Sequence, residues 1–329
     1  MYTKRVYGFW MTFNWSKWPF IYGMLYAAIF CALSFFFDIN ISIPWQPVSI
    51  IGIAVAFYLG FKNNSSYDRT WEARKIWGGI VNNSRSFGAA AVSVVQGEHA
   101  AEIHKELIYR HIAWLTALRH QLRLSQEWEH TENRIRGMFV PTICEDYHNR
   151  LDGELANFIT QEEIEALEPK ANTATQIIAA QSRRLQELRN VNYIEDFRHM
   201  ELFQLLRTFY DDQGKSERIK NFPFPRQYAS AAVWLTLVFS VLIPLAMLDI
   251  FLAEDNPMLI WVCPFASGLL IWIYFLMEKI GDYSENPFEG TYNDVPITTI
   301  ARGIEIDLRE MIDDTNIPSG FKSENGFLL

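Results

Sequence analysis

The chain has 329 residues, of which 50% are hydrophobic, with a formal net charge of -9. Because no basic surplus is available to neutralise phosphates, nucleic acid is excluded as a partner. Three cysteines provide no disulfide framework. The mean hydropathy of -0.02 is too high for a charged soluble protein and too low for a chain lying wholly in lipid. These values predict membrane spans joined to a substantial water-soluble part.

The first part of the chain predicts two membrane spans. Residues 1–19 are aromatic and basic, as is typical of a segment at the membrane interface. Residues 20–37 carry no charge and are long enough to cross a bilayer. After a short turn at 38–45, residues 48–61 are again uncharged, and the sequence becomes polar at Lys62. We expect this second helix to continue out of the membrane to about Val95.

The middle of the chain predicts soluble helices, and a second membrane pair follows. Apolar residues recur at helical spacing between 98 and 222, without the alternation of a strand. Residues 229–251 are uncharged until Asp249, and residues 258–277 are uncharged throughout. An amphipathic helix is predicted near the end. The individual soluble helices are expected at 102–124, 161–167, 173–190, 196–210 and 295–312.

Loop charges predict the orientation. The turns at 38–45 and 252–257 contain no Lys or Arg, whereas every other flank of a span is basic, which predicts cytoplasmic termini. The fold class is therefore all-α, with four transmembrane helices and a helical cytosolic domain. The predicted parts are a cytoplasmic or interfacial segment (1–19), transmembrane helices 1 and 2 (20–61), a helical cytosolic domain (62–228), transmembrane helices 3 and 4 (229–277) and a cytosolic C-terminal segment (278–329).

The second span carries two stripes at helical spacing. The large-residue stripe consists of Ile53, Phe57 and Phe61, at i, i+4 and i+8. Such a helix can pack by a smooth face and present its large residues to a lumen, or it can be an ordinary buried helix with two packed faces. The neighbouring small-residue stripe is of the kind that lets membrane helices approach closely, and it consists of Gly52, Ala56 and Gly60.

Enzymatic motifs are lacking in the sequence. There is no Gly-rich phosphate loop and no nucleophile elbow, and the seven histidines lack a matching set of metal ligands. We therefore expect neither an enzyme nor a cofactor. The loop at 283–294 is rich in oxygen-bearing side chains, among them Asn286, Asn293 and Asp294. This composition fits either a hard-cation site or a turn that ends in a capping Asp.

Four short sequence motifs occur in a characteristic order. They read GFKNN at 60–64, ERIKN at 217–221, ENPF at 285–288 and IEIDLRE at 304–310. Together with the four spans they resemble the bestrophin ion-channel family, in its bacterial branch. The resemblance covers essentially the whole chain.

The resemblance implies a homopentamer in the bacterial inner membrane, with the lipid bilayer and small inorganic ions as its other partners. One pore would lie on the five-fold axis, and the large-residue stripe matches the hydrophobic neck of the family. A second constriction at the cytosolic end would lie near Phe197. Animal members carry a calcium clasp after the Asn-Pro-Phe motif. Only Asp294 keeps a carboxylate in that run, so we expect no metal site and no activation by calcium.

The selectivity and two other functions stay open at this point. Acidic residues in the outer turns (Asp38, Glu254 and Asp255) and the net acidic charge favour monovalent cations. The alternative is an anion (chloride) channel, as in the animal members. A membrane-anchored scaffold or signalling protein would conduct nothing. A secondary transporter is disfavoured, because repeat symmetry and polar residues inside the spans are lacking.

Overall fold

The structure is a computed structural model that describes residues 1–129, 147–291 and 293–328, and the side chains of 147–150 are excluded from the description. Cys144 and His130 therefore lie outside the described residues. The described part forms helices and no extended strand, which confirms the all-α class. The helices are α1 (Phe9–Phe37), α2 (Trp45–Val94), α3 (Ala100–Arg123), α4 (Tyr147–Leu155), α5 (Gln161–Leu167), α6 (Thr173–Asn190), α7 (Asp196–Asn221), α8 (Arg226–Leu252), a 3₁₀-helix (Pro257–Val262), α9 (Cys263–Asp282) and α10 (Ile297–Glu310).

Within the residues that the structure describes, four helical segments are long and apolar enough to cross a membrane, as predicted. They are α1, the first half of α2, α8 and the segment formed by the 3₁₀-helix with α9, and together they make up the membrane bundle. The 3₁₀-helix precedes α9 because Pro264 lies in the first turn of α9. A proline is accepted there, but it cannot form the hydrogen bonds of a helix interior.

Helix α1 begins earlier than predicted, at Phe9, and contains Pro19 in its interior. Because proline has no N–H, the carbonyl of Trp15 loses its partner in the helix. Lys279 of α9 replaces that partner, since its Nζ donates to the Trp15 oxygen at 2.6 Å. A second bond joins the same helices, from Trp272 Nε1 to Ser16 Oγ at 2.8 Å. These contacts explain how the helix continues through Pro19.

Helix α1 packs along α9 at a point where both helices carry glycine. A Cβ placed on Gly23 would lie only 3.2 Å from the Cα of Gly268 and 2.8 Å from Cδ1 of Ile271. Small residues thus bring the two backbones close together, as is common between membrane helices. The membrane bundle is completed by α8, which contacts α1, α2 and α9.

Helix α2 runs without interruption for 50 residues, or about 75 Å at 1.5 Å per residue. The prediction that it continues beyond the second span is confirmed. Its first half packs on α8 and α9 in the membrane bundle. Its second half packs on α3, α7 and α10, which form the polar helical domain together with α4, α5 and α6. Helix α2 therefore connects the two regions as a single rod.

An aromatic cluster lies at the centre of the polar helical domain. Phe87 of α2, His111 and Trp114 of α3, and Phe209 of α7 contact one another through their rings. Burial lowers the pKa of His111 to about 3, so this histidine is neutral at physiological pH. Helix α7 extends past its predicted end at residue 210, because later residues such as Gln213 are also buried and bonded, here to Trp114 Nε1 at 3.0 Å.

Candidate ion pathway

Helix α2 is covered by its own subunit on one side only. Val55 and Leu59 are almost fully buried against α8 and α9. The large-residue stripe lies on the open side, where Ile53 and Phe57 are each 67% exposed and Phe61 is 60% exposed. The rings of Phe57 and Phe61 contact each other edge to face, with centroids 5.5 Å apart. Three large apolar side chains are therefore left for lipid, another subunit or a lumen to contact.

The small-residue stripe does not lie in one environment. Gly52 is buried, its carbonyl accepts a hydrogen bond from Tyr274 Oη at 3.0 Å, and an added Cβ would lie 2.6 Å from the Phe239 ring. Gly60 is exposed, and an added Cβ would meet no atom within 4 Å. Ala56 and Gly60 line a shallow groove of about 580 Å³ beside the large-residue stripe. Of the two glycines in the stripe, Gly52 allows close helix packing within the subunit. That Gly60 packs against a helix of a neighbouring subunit stays a prediction.

A buried ion pair follows directly after the large-residue stripe. The side chain of Lys62 is fully buried, and its Nζ lies 3.0 Å from Glu278 Oε1 and 3.9 Å from Asp282 Oδ1, both on α9. Lys62 therefore faces the membrane bundle while Phe61 faces outward. A buried charge is tolerated only when it is paired, so this contact holds α2 against α9 at the end of the stripe.

The next turns of α2 are tied to two chain segments by hydrogen bonds. Arg69 donates to the carbonyls of Ile219 at 3.1 Å and Phe222 at 2.8 Å, at the C-terminal end of α7, where cations are favoured. It also donates to the carbonyl of Glu285 at 2.8 Å. Thr70 Oγ1 donates to the neighbouring carbonyl of Ser284, in the loop after α9, at 2.9 Å. The helix that carries the stripe is thus connected to the loop at 283–294.

That loop is folded around the carboxylate of Asp294. Its two oxygens accept hydrogen bonds from the backbone N–H groups of Phe288 at 2.7 Å, Gly290 at 2.6 Å and Val295 at 2.6 Å. Arg123 of α3 forms a fully buried ion pair with the same carboxylate. The oxygens of Asp294 are therefore engaged by the turn and by a guanidinium. The interpretation as a turn fits this geometry, but Asp294 does not cap α10, whose N-cap residue is Pro296.

Asn286 and Asn293, the other oxygen-bearing residues singled out in this loop, have different surroundings. Asn293 Oδ1 accepts a hydrogen bond from Tyr7 Oη at 2.7 Å. Asn286 is buried, and its Nδ2 contacts the carbonyl of Trp128 at 3.5 Å. Within the described ranges, no group of three or more His, Cys, Asp or Glu side chains is arranged to hold a metal ion.

A third buried ion pair lies at the end of α7. The Lys220 ammonium and the Glu129 carboxylate bind each other, and both side chains are almost fully buried. Burial lowers the pKa of Lys220 and raises the pKa of Glu129, and the attraction between them opposes both shifts. This pair connects the segment after α3 to the C-terminal end of α7.

We expect micromolar calcium to leave the currents of this protein unchanged. A calcium sensor needs several carboxylate ligands, and the one that remains here is already neutralised by Arg123. The measurement is current through reconstituted protein in a calcium chelator and then in added calcium, with magnesium as the control for general divalent effects. A steep rise in current with calcium and not with magnesium would contradict this expectation.

The second predicted constriction lies on a different helix from the large-residue stripe. Phe197 is in the first turn of α7 and is 91% exposed. Met200, one turn later, is also exposed. The start of α7 therefore presents an uncovered apolar surface, whose role in a constriction stays a prediction.

Sequence patterns did not reveal the partners of the buried charges. Lys62 was visible as the first charge after an apolar run, but Glu278 lies 216 positions away. Arg123 and Asp294 are separated by 171 positions. Neither distance along the chain leaves a periodic signal, so these pairs became apparent only in the folded structure.

Comparison with known proteins agrees with this fold. The family model described as bacterial and fungal bestrophin protein matches residues 18–310. The voltage-dependent anion channel-forming protein YneE of Salmonella typhi is 26% identical over 296 residues, which cover 90% of this chain and 86% of the relative. The voltage-dependent anion channel-forming protein sll1024 of Synechocystis is 26% identical over 274 residues, covering 82% and 78%.

A solved structure has the same architecture. The crystal structure of a bacterial bestrophin homolog from Klebsiella pneumoniae matches 91% of this chain and 99% of its own, with a TM-score of 0.76 and 20% identity. At this identity the structural similarity establishes the fold alone. Membership of the family rests on the family model, which matches most of the sequence. The chain therefore belongs to the bacterial and fungal bestrophin family and is an ion channel of that family, not an enzyme.

Proposed function

We propose that the protein is a homopentameric anion channel of the bacterial inner membrane, with both termini in the cytoplasm. Five copies of the large-residue stripe would surround the axis and form the neck. The observation that carries this proposal is the exposure of Ile53, Phe57 and Phe61 on a helix whose other side is buried. Its own subunit leaves this stripe uncovered, as a lumen requires.

The chemistry of the stripe favours a hydrophobic gate. Apolar walls offer an ion no oxygen atoms in exchange for its water, so a narrow ring of such side chains gates by dewetting and not by coordination. The exposed start of α7, with Phe197, would supply the second constriction. The basic flanks of the spans, Lys17, Lys62, Arg226 and Lys279, support the proposed orientation.

Anions are favoured over cations because of the relatives. The curated relatives are named as voltage-dependent anion channel-forming proteins. Their names support anion selectivity, the alternative given above, over the cation selectivity that the acidic outer turns favoured. Those turns are at the ends of the spans, where exposed charges are screened by salt within about 8–10 Å.

The test is a bilayer recording of purified protein in asymmetric potassium chloride. A reversal potential near the chloride equilibrium potential is expected, and replacement of chloride by a large organic anion should reduce the current. Reversal at the potassium equilibrium potential would contradict the proposed selectivity. An intact pentamer without any current would contradict conduction and favour the scaffold function.

A further inference from the structure

Helix α2 carries the face of the large-residue stripe onward into the polar helical domain. At 3.6 residues per turn, eighteen residues make five turns, so Lys75 lies at the same angle around the helix as Phe57, about 27 Å further along. Asp68 follows Phe57 by eleven residues, which places it within about 20° of that angle and about 16 Å along. One proline, Pro47, occurs in α2, and it lies in the first turn, so the rod has no proline kink in between.

Both charged side chains lie on the open side of α2. Asp68 and Lys75 are exposed. Asp68 accepts one long hydrogen bond, from Asn64 Nδ2 at 3.4 Å, on the same face. Among the residues that the structure describes, no ion pair of Lys75 with a carboxylate is found. The subunit therefore leaves one negative and one positive charge on the extension of the neck face.

Three other charged residues of α2 differ from these two because each forms an ion pair. Lys62 pairs with Glu278, Glu72 lies 2.6 Å from Arg218, and Arg85 lies 2.6 Å from Asp307. A paired charge contributes little field at a distance, whereas five unpaired copies around one axis add together. Asp68 and Lys75 are therefore the charges of this helix face that an ion leaving the neck would meet.

We propose that Asp68 and Lys75 form two oppositely charged rings in the inner mouth of the pore, and that their balance sets the preference for anions over cations. This inference rests on the proposed function, in which the large-residue stripe lines the pore. The Lys75 ring attracts anions. The Asp68 ring, nearer the neck, attracts cations and limits the anion preference.

The neighbouring residue Arg74 provides a matched control. It is also an exposed cation, and among the described residues no ion pair is found for it either. One position along a helix rotates the side chain by about 100°, so Arg74 points away from the face shared by Phe57 and Lys75. Arg74→Gln removes the same charge at nearly the same height along the helix.

The experiment compares reversal potentials of the three single variants with the unchanged protein, after size measurement has shown that each remains assembled. Lys75→Gln should move the reversal potential toward the potassium equilibrium potential, and Asp68→Asn should move it toward that of chloride. Each shift should correspond to a change of about three-fold in the ratio of chloride to potassium permeability at 0.1 M salt. Arg74→Gln should cause no shift.

Ionic strength provides the second measurement. The Debye length falls from about 10 Å at 0.1 M salt to about 3 Å at 1 M, so both shifts should shrink in concentrated salt. The proposal of two charged rings would be contradicted if Lys75→Gln and Asp68→Asn shifted the reversal potential in the same direction. It would also be contradicted if Arg74→Gln caused a shift as large as that of Lys75→Gln, or if none of the variants caused a shift.

These outcomes are separate from those that test the proposed function. Reversal of the unchanged protein near the potassium equilibrium potential would refute the anion preference, while opposite shifts of the two variants would still support the rings. A chloride-selective protein whose reversal potential ignores both substitutions would refute the rings alone. A complete lack of current in the assembled protein would refute both.

Discussion

Replacing Phe57 and Phe61 together with alanine should raise ion flux through the assembled protein by roughly tenfold, the increase that corresponds to a barrier lowered by about 1.4 kcal/mol. Ten fewer rings would face the axis of a pentamer, so the neck would widen and hold water. Because both side chains are mostly exposed within the subunit, their truncation removes little packing there. The measurement is ion flux from liposomes, with pentamer size checked in detergent.

Phe239→Ala is the matched control for this double variant. Its ring is buried in the membrane bundle, 6% exposed, against Gly52 and Tyr274. Truncation of a buried Phe costs about 3–5 kcal/mol of stability, so this variant should unfold more easily without a gain in flux. Collapse of the Phe57 and Phe61 double variant, with loss of the pentamer, would instead show that these rings serve helix packing.

Lys62→Met should lower the stability of the protein by about 3–5 kcal/mol, because it removes the buried ammonium that lies 3.0 Å from the carboxylate of Glu278. Joint replacement of Lys62 and Glu278 by Met should recover most of this loss, since apolar side chains then replace both members of the closest ion pair. Thermal unfolding of the detergent-solubilised protein measures both effects.

The control for the Lys62 experiment is the exposed ion pair on the same helix. Arg85 lies 2.6 Å from Asp307, with their side chains 52% and 31% exposed. Exposed pairs contribute about 1 kcal/mol or less, so Arg85→Met should change stability little. Equal losses for Lys62→Met and Arg85→Met, or no recovery in the double variant, would contradict the role assigned to the buried pair.

Local periodicity was sufficient for much of the fold. The predicted bounds 161–167 and 173–190 coincide with α5 and α6. The four spans and the continuation of the second one beyond the membrane were also predictable. Uncharged length and spacing of apolar residues are properties of neighbouring positions, so they can be read without knowledge of the partners of a helix.

Helix ends were less predictable where another helix decides them. Helix α1 begins at Phe9 and not at residue 20, because Lys279 satisfies the carbonyl that Pro19 leaves free. Helix α7 continues to Asn221 through a polar run that includes Gly214, because residues on both sides of it are buried. In both cases a tertiary contact outweighs the local preference of the sequence.

Four spans, a helical domain and two stripes on the second span follow from local sequence patterns alone. The folded chain was needed to show which side of α2 is covered, that Lys62 pairs with Glu278, and that Arg123 neutralises Asp294. A stripe can be read from the sequence because it follows from the 3.6-residue period of one helix. Burial and ion pairing, by contrast, depend on which residues from distant parts of the chain pack against it.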